Sequence, residues 1–212
     1  MRLATRSLFF AGSFLLAAAA AQAAVVINEV DYDQVGTDSA EFIELRNNGP
    51  GTVNLGTYTV ELVNGATGLI YSTLTLPTAS VPAGGYFVIA FGSANSWHAD
   101  YVASLIDDSI QNGSPDAIGL RNAGVLVDAV SYEGNTAAPY TEGTGTTAAD
   151  DNVTASVGLS RFPDGQDTNN NNADFSVRCI TPGAANQSST GGCLTPVAAR
   201  WNTWGVLKSI YR

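Results

Sequence analysis

The chain has 212 residues, 19 acidic and 9 basic side chains and one histidine, for a formal net charge of −10. That length suits one domain with a tail or a small appendage. So acidic a surface repels nucleic-acid phosphate and anionic membrane unless a cation bridges them, which argues against both as partners and leaves cations as the ions it attracts.

Residues 1–23 read as a secretory signal peptide. Arg2 and Arg6 give a positive start, an apolar run follows over residues 8–21, and Ala21-Gln22-Ala23 fits a small-x-small cleavage site. The run is too short and too poor in large apolar residues for a membrane span, and no later segment is long enough. The expected mature chain, residues 24–212, loses two bases and no acid, so seven bases face 19 acids and its charge is −12.

Beyond the leader, short β-branched and aromatic runs alternate with turn clusters, the pattern of an all-β sandwich or barrel. Strands are predicted over residues 25–32, 41–47, 52–55, 58–63, 69–76, 86–91, 117–121, 125–132 and 157–161. The stretch 86–91 is apolar on both parities, so it is expected to be covered on both faces. Asn122-Ala123-Gly124 supplies a hairpin turn, and Val81-Pro82-Ala83-Gly84-Gly85 a tight turn. Residues 94–106 could form a turn or two of helix. Residues 136–152 and 163–172 read as loops, and 187–199 as a linker whose 187–192 portion has flexible composition. Cys179 and Cys193, in a chain bound for oxidising surroundings, are expected to form a disulfide.

Several stretches in order carry a resemblance: INEV, EFIELRNNG with VNLGTYTVE, LPTASVPAGGYFVIAFG and GSPDAIGLRNAGVLVDAVSYEG, then GLSRFPDGQDTNNNNADF and TPGAAN. Together they resemble the bacterial secreted lamin tail domain over residues 24–186. The resemblance implies an immunoglobulin-like β-sandwich of about eight or nine strands, with no catalytic chemistry common to the family. Its bacterial members look like exported modules, some attached to extracellular nucleases or other hydrolases.

The possible chemistry lies in two acidic stretches. In the first, Glu29, Asp31, Asp33, Asp38, Glu41 and Glu44 are threaded among strand-forming residues. Strand parity places Glu41 with Ile43 and Leu45, and Glu44 with Phe42, so at least one glutamate is expected to be partly buried. A buried carboxylate needs hydrogen-bond donors, and the simplest expectation is that Glu44 or Glu29 accepts them from loop backbone N–H groups and pins adjacent strands. In the second stretch, Asp164, Asp167, Asn169 and Asn171 are the candidate calcium ligands. Asp167, Asn169 and Asn171 alternate as in an EF-hand loop, but Asn172 stands where glycine is needed and Arg178 where the closing glutamate belongs. His98, with Asp100 two residues on, has no nucleophile elbow beside it and reads as a loop histidine.

The tail, residues 200–212, reverses the charge sign. It has three bases (Arg200, Lys208, Arg212), no acid, and Trp201, Trp204 and Tyr211 at helical spacing. It reads as a docking or sorting element. The whole chain is expected to be an exported, non-enzymatic interaction or cell-surface module with a protein or cell-envelope partner. The alternative is an accessory part of an extracellular hydrolase, with calcium as the one possible cofactor.

Overall fold

Every predicted strand forms. The computed structural model describes residues 24–94, 99–150 and 153–193. The leader, His98, residues 194–199 and the tail lie outside them. The strands are β1 (Val25–Asp31), β2 (Phe42–Asn47), β3 (Val53–Asn54), β4 (Tyr58–Asn64), β5 (Leu69–Thr75), β6 (Ser80–Val81), β7 (Tyr86–Ala90), β8 (Tyr101–Val102), β9 (Asp116–Asn122), β10 (Val125–Tyr132), β11 (Val157–Arg161) and β12 (Phe175–Cys179). One turn of helix, α1 (Asn171–Asp174), precedes β12.

Two sheets face each other. The larger runs β12-β11-β1-β2-β7-β8 and the smaller β10-β9-β4-β5, while β3 and β6 form a short ribbon. Pairing is antiparallel except between β7 and β8. Ile27, Val30, Ile43, Leu45, Phe87 and Ile89 from one sheet meet Val60, Leu62, Ile118, Leu120 and Val130 from the other in one core. Such interleaved inner faces are what hold a β-sandwich together.

A register shift between Ile27 and Glu29 decides what the large sheet presents outward. A bulge there adds one residue and flips the alternation. Ile27 and Val30 therefore both face the core, and Glu29 turns to the outer face with Glu44, directly opposite it on β2. That outer face is itself covered, since Phe42, Val88 and Ile180 make a second apolar cluster. β7 is thus buried on both parities, as its sequence predicts. The loop 136–150 does the same for the small sheet, where Tyr140 packs on Val63 and Ala117.

Ala123 and Gly124 both adopt positive φ (48° and 83°) between β9 and β10, the two-residue hairpin geometry that suits the strands' twist. Gly92 has a stricter reason to be glycine. Its φ is +87° and a Cβ there would lie 2.2 Å from the Ser39 carbonyl oxygen.

Two expectations change. The short helix expected over residues 94–106 is absent from its described part, where Tyr101 and Val102 instead extend the large sheet beside Ile89 and Ala90. Residues 187–193, read as the start of a linker, are docked on the domain. Cys179 N–H donates to Ser189 O at 2.9 Å, Arg178 reaches Ser188 O at 3.0 Å, and Cys179 is disulfide-bonded to Cys193.

Candidate functional site

Two acids of the opening stretch, Glu29 and Glu44, are buried beneath residues 181–183. Glu29 and Glu44 are both 0 % exposed, and opposed residues of an antiparallel pair hold their Cβ atoms about 5 Å apart. Glu29 accepts hydrogen bonds from Ser160 Oγ at 2.7 Å and from Thr181 N–H at 2.9 Å. Glu44 accepts from Asn28 Nδ2 at 2.9 Å and from Gly183 N–H at 2.6 Å. Burial pushes Glu29 up to about 7, against the pull of those donors. Burial, then the charge of Glu29, holds Glu44 well above the usual carboxylate range. The expected role is met in full: the two glutamates fasten residues 181–183 across the strands.

Glu41 plays the same part elsewhere. It accepts from Ser109 N–H at 2.8 Å and Ile110 N–H at 2.9 Å, and burial pushes it up to about 8. Asp150 Oδ2 takes the N–H of Tyr32 at 3.0 Å, and burial, then the charge of Asp31, pushes Asp150 up to about 9. Burial likewise pushes Asp31 up to about 8, against the hydrogen bond from Gln34. The cleft beside Asp31, bordered by Asp33, Gln34 and Val157, has a volume near 160 Å³. Small-molecule sites start at roughly 300 Å³.

The second acidic stretch does not assemble as the sequence suggests. Asp164 pairs with Arg46 at 2.8 Å and accepts from Tyr86 OH at 2.7 Å. The Asn171 side-chain carbonyl is taken by Ser131 N–H at 3.0 Å and Glu142 N–H at 3.2 Å. Asn169 N–H donates to Asp167 at 3.0 Å, closing a local turn. Of the four candidate ligands, Asp167 joins other carboxylates, its oxygen and those of Asp128 and Glu142 lying within 4.8 Å of one another, and Asn171 Nδ2 donates to Glu142 at 3.4 Å.

Sequence reading missed the centre of that cluster, Arg161. Its side chain is 0 % exposed and meets Asp128 at 2.8 Å, Asp174 at 3.1 Å and Asp167 at 3.6 Å. Its Nε donates to Ile27 O at 2.7 Å, and its guanidinium lies 4.5 Å from the Phe175 ring centroid. A fully buried arginine needs this many partners to offset desolvation. Burial still pushes Asp128 up to about 6 despite the guanidinium. Burial, then the Asp128 charge, pushes Glu142 up to about 8. One signal could have found the cluster. Val157, Leu159 and Arg161 share a strand parity, and an arginine on a core-facing parity requires buried acids.

Two sheets, antiparallel except for the β7–β8 pair, packed face to face around one core define an immunoglobulin-like β-sandwich. The Lamin Tail Domain family profile matches residues 18–134, more than half of the chain, and the protein belongs to that family. The sandwich continues past the matched region through β11 and β12. A search of curated proteins returned no match.

Proposed function

We propose that this chain is an exported, non-enzymatic interaction module. The observation that carries the reading is the use to which its acids are put. Glu29, Glu41, Glu44, Asp128 and Asp164 all spend their oxygens on backbone N–H groups, arginines or neighbouring polar side chains. A general acid or base must instead reach a substrate proton from a cleft. Export is supported by the leader, by a disulfide that oxidising surroundings favour, and by the start of the fold. Ala24 is exposed and β1 begins at Val25, so cleavage after Ala23 leaves the sandwich whole. No helix among the described residues is long and apolar enough to cross a membrane.

The test is capture from the native cell envelope on immobilised full-length protein, beside a panel of ester, phosphoester and glycoside substrates. Saturable retention of a defined partner without turnover is expected. Turnover that purifies with the protein, or retention only alongside a co-purifying hydrolase, favours the accessory-subunit alternative. The tail, residues 200–212, is proposed to direct localisation, and its deletion is expected to change where the protein accumulates.

One observation favours a second role. The three oxygens of Asp128, Glu142 and Asp167, within 4.8 Å of one another, could take a calcium ion, which prefers carboxylate oxygens. Arg161 already neutralises part of that charge, so binding is expected to be weak. A saturable rise in melting temperature with calcium, absent with magnesium and lost in Glu142→Gln, supports the site. No shift at millimolar calcium refutes it.

A further inference from the structure

The two main sheets have four edges, of which two are covered and a third is very short. On β10, Glu142 accepts from Ala129 N–H at 3.2 Å, and Asn171 accepts from Ser131 N–H at 3.0 Å while donating to Ala129 O at 2.7 Å. On β12, the segment around Ser189 supplies a hydrogen bond and is held by the disulfide. On the third edge, β8 has only two residues. The fourth edge, β5, has seven residues, LIYSTLT, with no charge and no proline.

The register identifies which groups β5 leaves open. Leu76 N–H donates to Tyr58 O at 3.0 Å, and Val60 opposes Leu74 and Leu62 opposes Ser72 in the same phase. Antiparallel bonding alternates, so the main-chain groups of Thr73 and Thr75 turn away from β4. No described residue forms a backbone hydrogen bond to that outer edge. Natural edge strands are usually guarded by charge, proline or brevity, and β5 has none of these.

We infer that β5 is the docking edge of the module, and that its occupant is an extended peptide segment of a partner protein with lysine or arginine at the end lying beside Tyr71. The inference rests on the interaction-module reading and names its surface. Charge sets the occupant. Tyr71 OH accepts from Gln111 N–H at 2.9 Å, which ties this end of β5 to the loop carrying Asp107 and the exposed Asp108, and Asp108 acts electrostatically on Tyr71. No base contacts that end among the described residues. Leu69 and Ile70, 66 % and 44 % exposed, offer apolar surface beside it. A second copy of the chain would bring another strongly acidic body to the same end. A basic-ended strand gains main-chain bonds along Thr73 and Thr75 and charge attraction at Tyr71.

The experiment uses the full chain and a short synthetic peptide of alternating threonine and valine with lysines at one end, beside a glutamate-ended counterpart. Amide exchange at Thr73 and Thr75 is expected to slow by about tenfold or more with the lysine peptide and to stay unchanged with the glutamate one. Thr73→Pro removes an outward N–H without touching a bond to β4, and Thr75→Lys adds a guard charge. Both are expected to abolish that protection, and a parental melting temperature in either one suffices to read the result. Equal binding of both peptides, binding undiminished in the folded variants, or no protection at millimolar peptide overturns the proposal. Self-association that Thr75→Lys abolishes replaces the peptide with a second copy and also overturns it. If both variants still capture the parent's envelope partner, the edge is wrong and the module reading stands. If the parent captures nothing, the module reading itself fails.

Discussion

Replacing Glu29 by glutamine separates two forces that act on the same carboxylate. Burial raises its pKa from 4.5 to about 7, while Ser160 Oγ and Thr181 N–H favour the charged form. A group whose folded pKa is raised binds its proton more tightly in the native state. Its contribution is therefore full below pH 4.5, falls as the pH rises through about 7, and is flat above. At 1.36 kcal/mol per pH unit, the loss across that window is about 3 kcal/mol. Glutamine cannot ionise, so the variant loses that slope. Its amide keeps one oxygen for Thr181 or Ser160 but turns an N–H toward a site that held an acceptor, a cost of about 1 kcal/mol. The variant is thus expected to be about 1 kcal/mol less stable than the parent near pH 4.5 and about 2 kcal/mol more stable near pH 8. It also removes the second largest influence on Glu44, the Glu29 charge, so the remaining slope should weaken too. Urea unfolding followed by far-ultraviolet circular dichroism at a series of pH values reads both limbs. Parallel stability curves for parent and variant, or a variant weaker at every pH, would mean that the donors win over burial and that Glu29 is a settled anion.

Two further changes test the fold's internal supports. Arg161→Met should cost about 3–5 kcal/mol, because Asp128 and Asp174 are left buried without their cation. Arg121→Met, at a half-open pair with Glu61, should cost about 0–1 kcal/mol; similar losses for the two in urea titrations would refute the central place given to Arg161. Gly92→Ala should cost about 3 kcal/mol, from positive φ and a methyl driven into Ser39 O, whereas Gly84→Ala, with positive φ but open space, should cost about 1 kcal/mol. Equal shifts in melting temperature would show that the close approach to Ser39 can relax.

Apart from the two-residue β3, the strands were legible because β-branched, aromatic or alternating residues run over five or more positions. Val25-Val26-Ile27 and Tyr86-Phe87-Val88-Ile89 carry β-branched and aromatic side chains, and burial on one or both faces then sets their register. The strands that escaped notice had no such run. β6 and β8 have two residues each, too few to show any period. β12 reads FSVRC, with Ser176, Val177 and Arg178 only half-buried. Its place is fixed by Phe175 in the core and by the disulfide at its other end, both tertiary constraints.

The carboxylates were harder to place, and parity explains which ones. Glu44 lies on the face of Phe42, as alternation requires, and that face is buried because residues 180–183 return to cover it. Nothing local in TPGAAN announces that return. Glu29 reaches the same face only through the bulge at β1, which no simple alternation foresees. In the polar stretch after β11, spacing suggested one ligand loop, but its members face different neighbours. Asp164 turns to β2 and β7 through Arg46 and Tyr86, Asn171 closes the edge of β10, and Asp167 turns to Arg161. The division follows from a requirement on charge. Arg161 at a core-facing position must be surrounded by acids, and the chain meets that need by drawing Asp128 from one sheet and Asp167 and Asp174 from the connection before β12. The acid cluster of Asp128, Asp167 and Asp174 in this lamin tail domain is therefore built around a cation the protein carries itself. An added calcium ion would have to compete with that guanidinium for Asp128 and Asp167, which it pairs directly, whereas it acts on Glu142 only from farther off, so Glu142 is the residue on which any calcium response must depend.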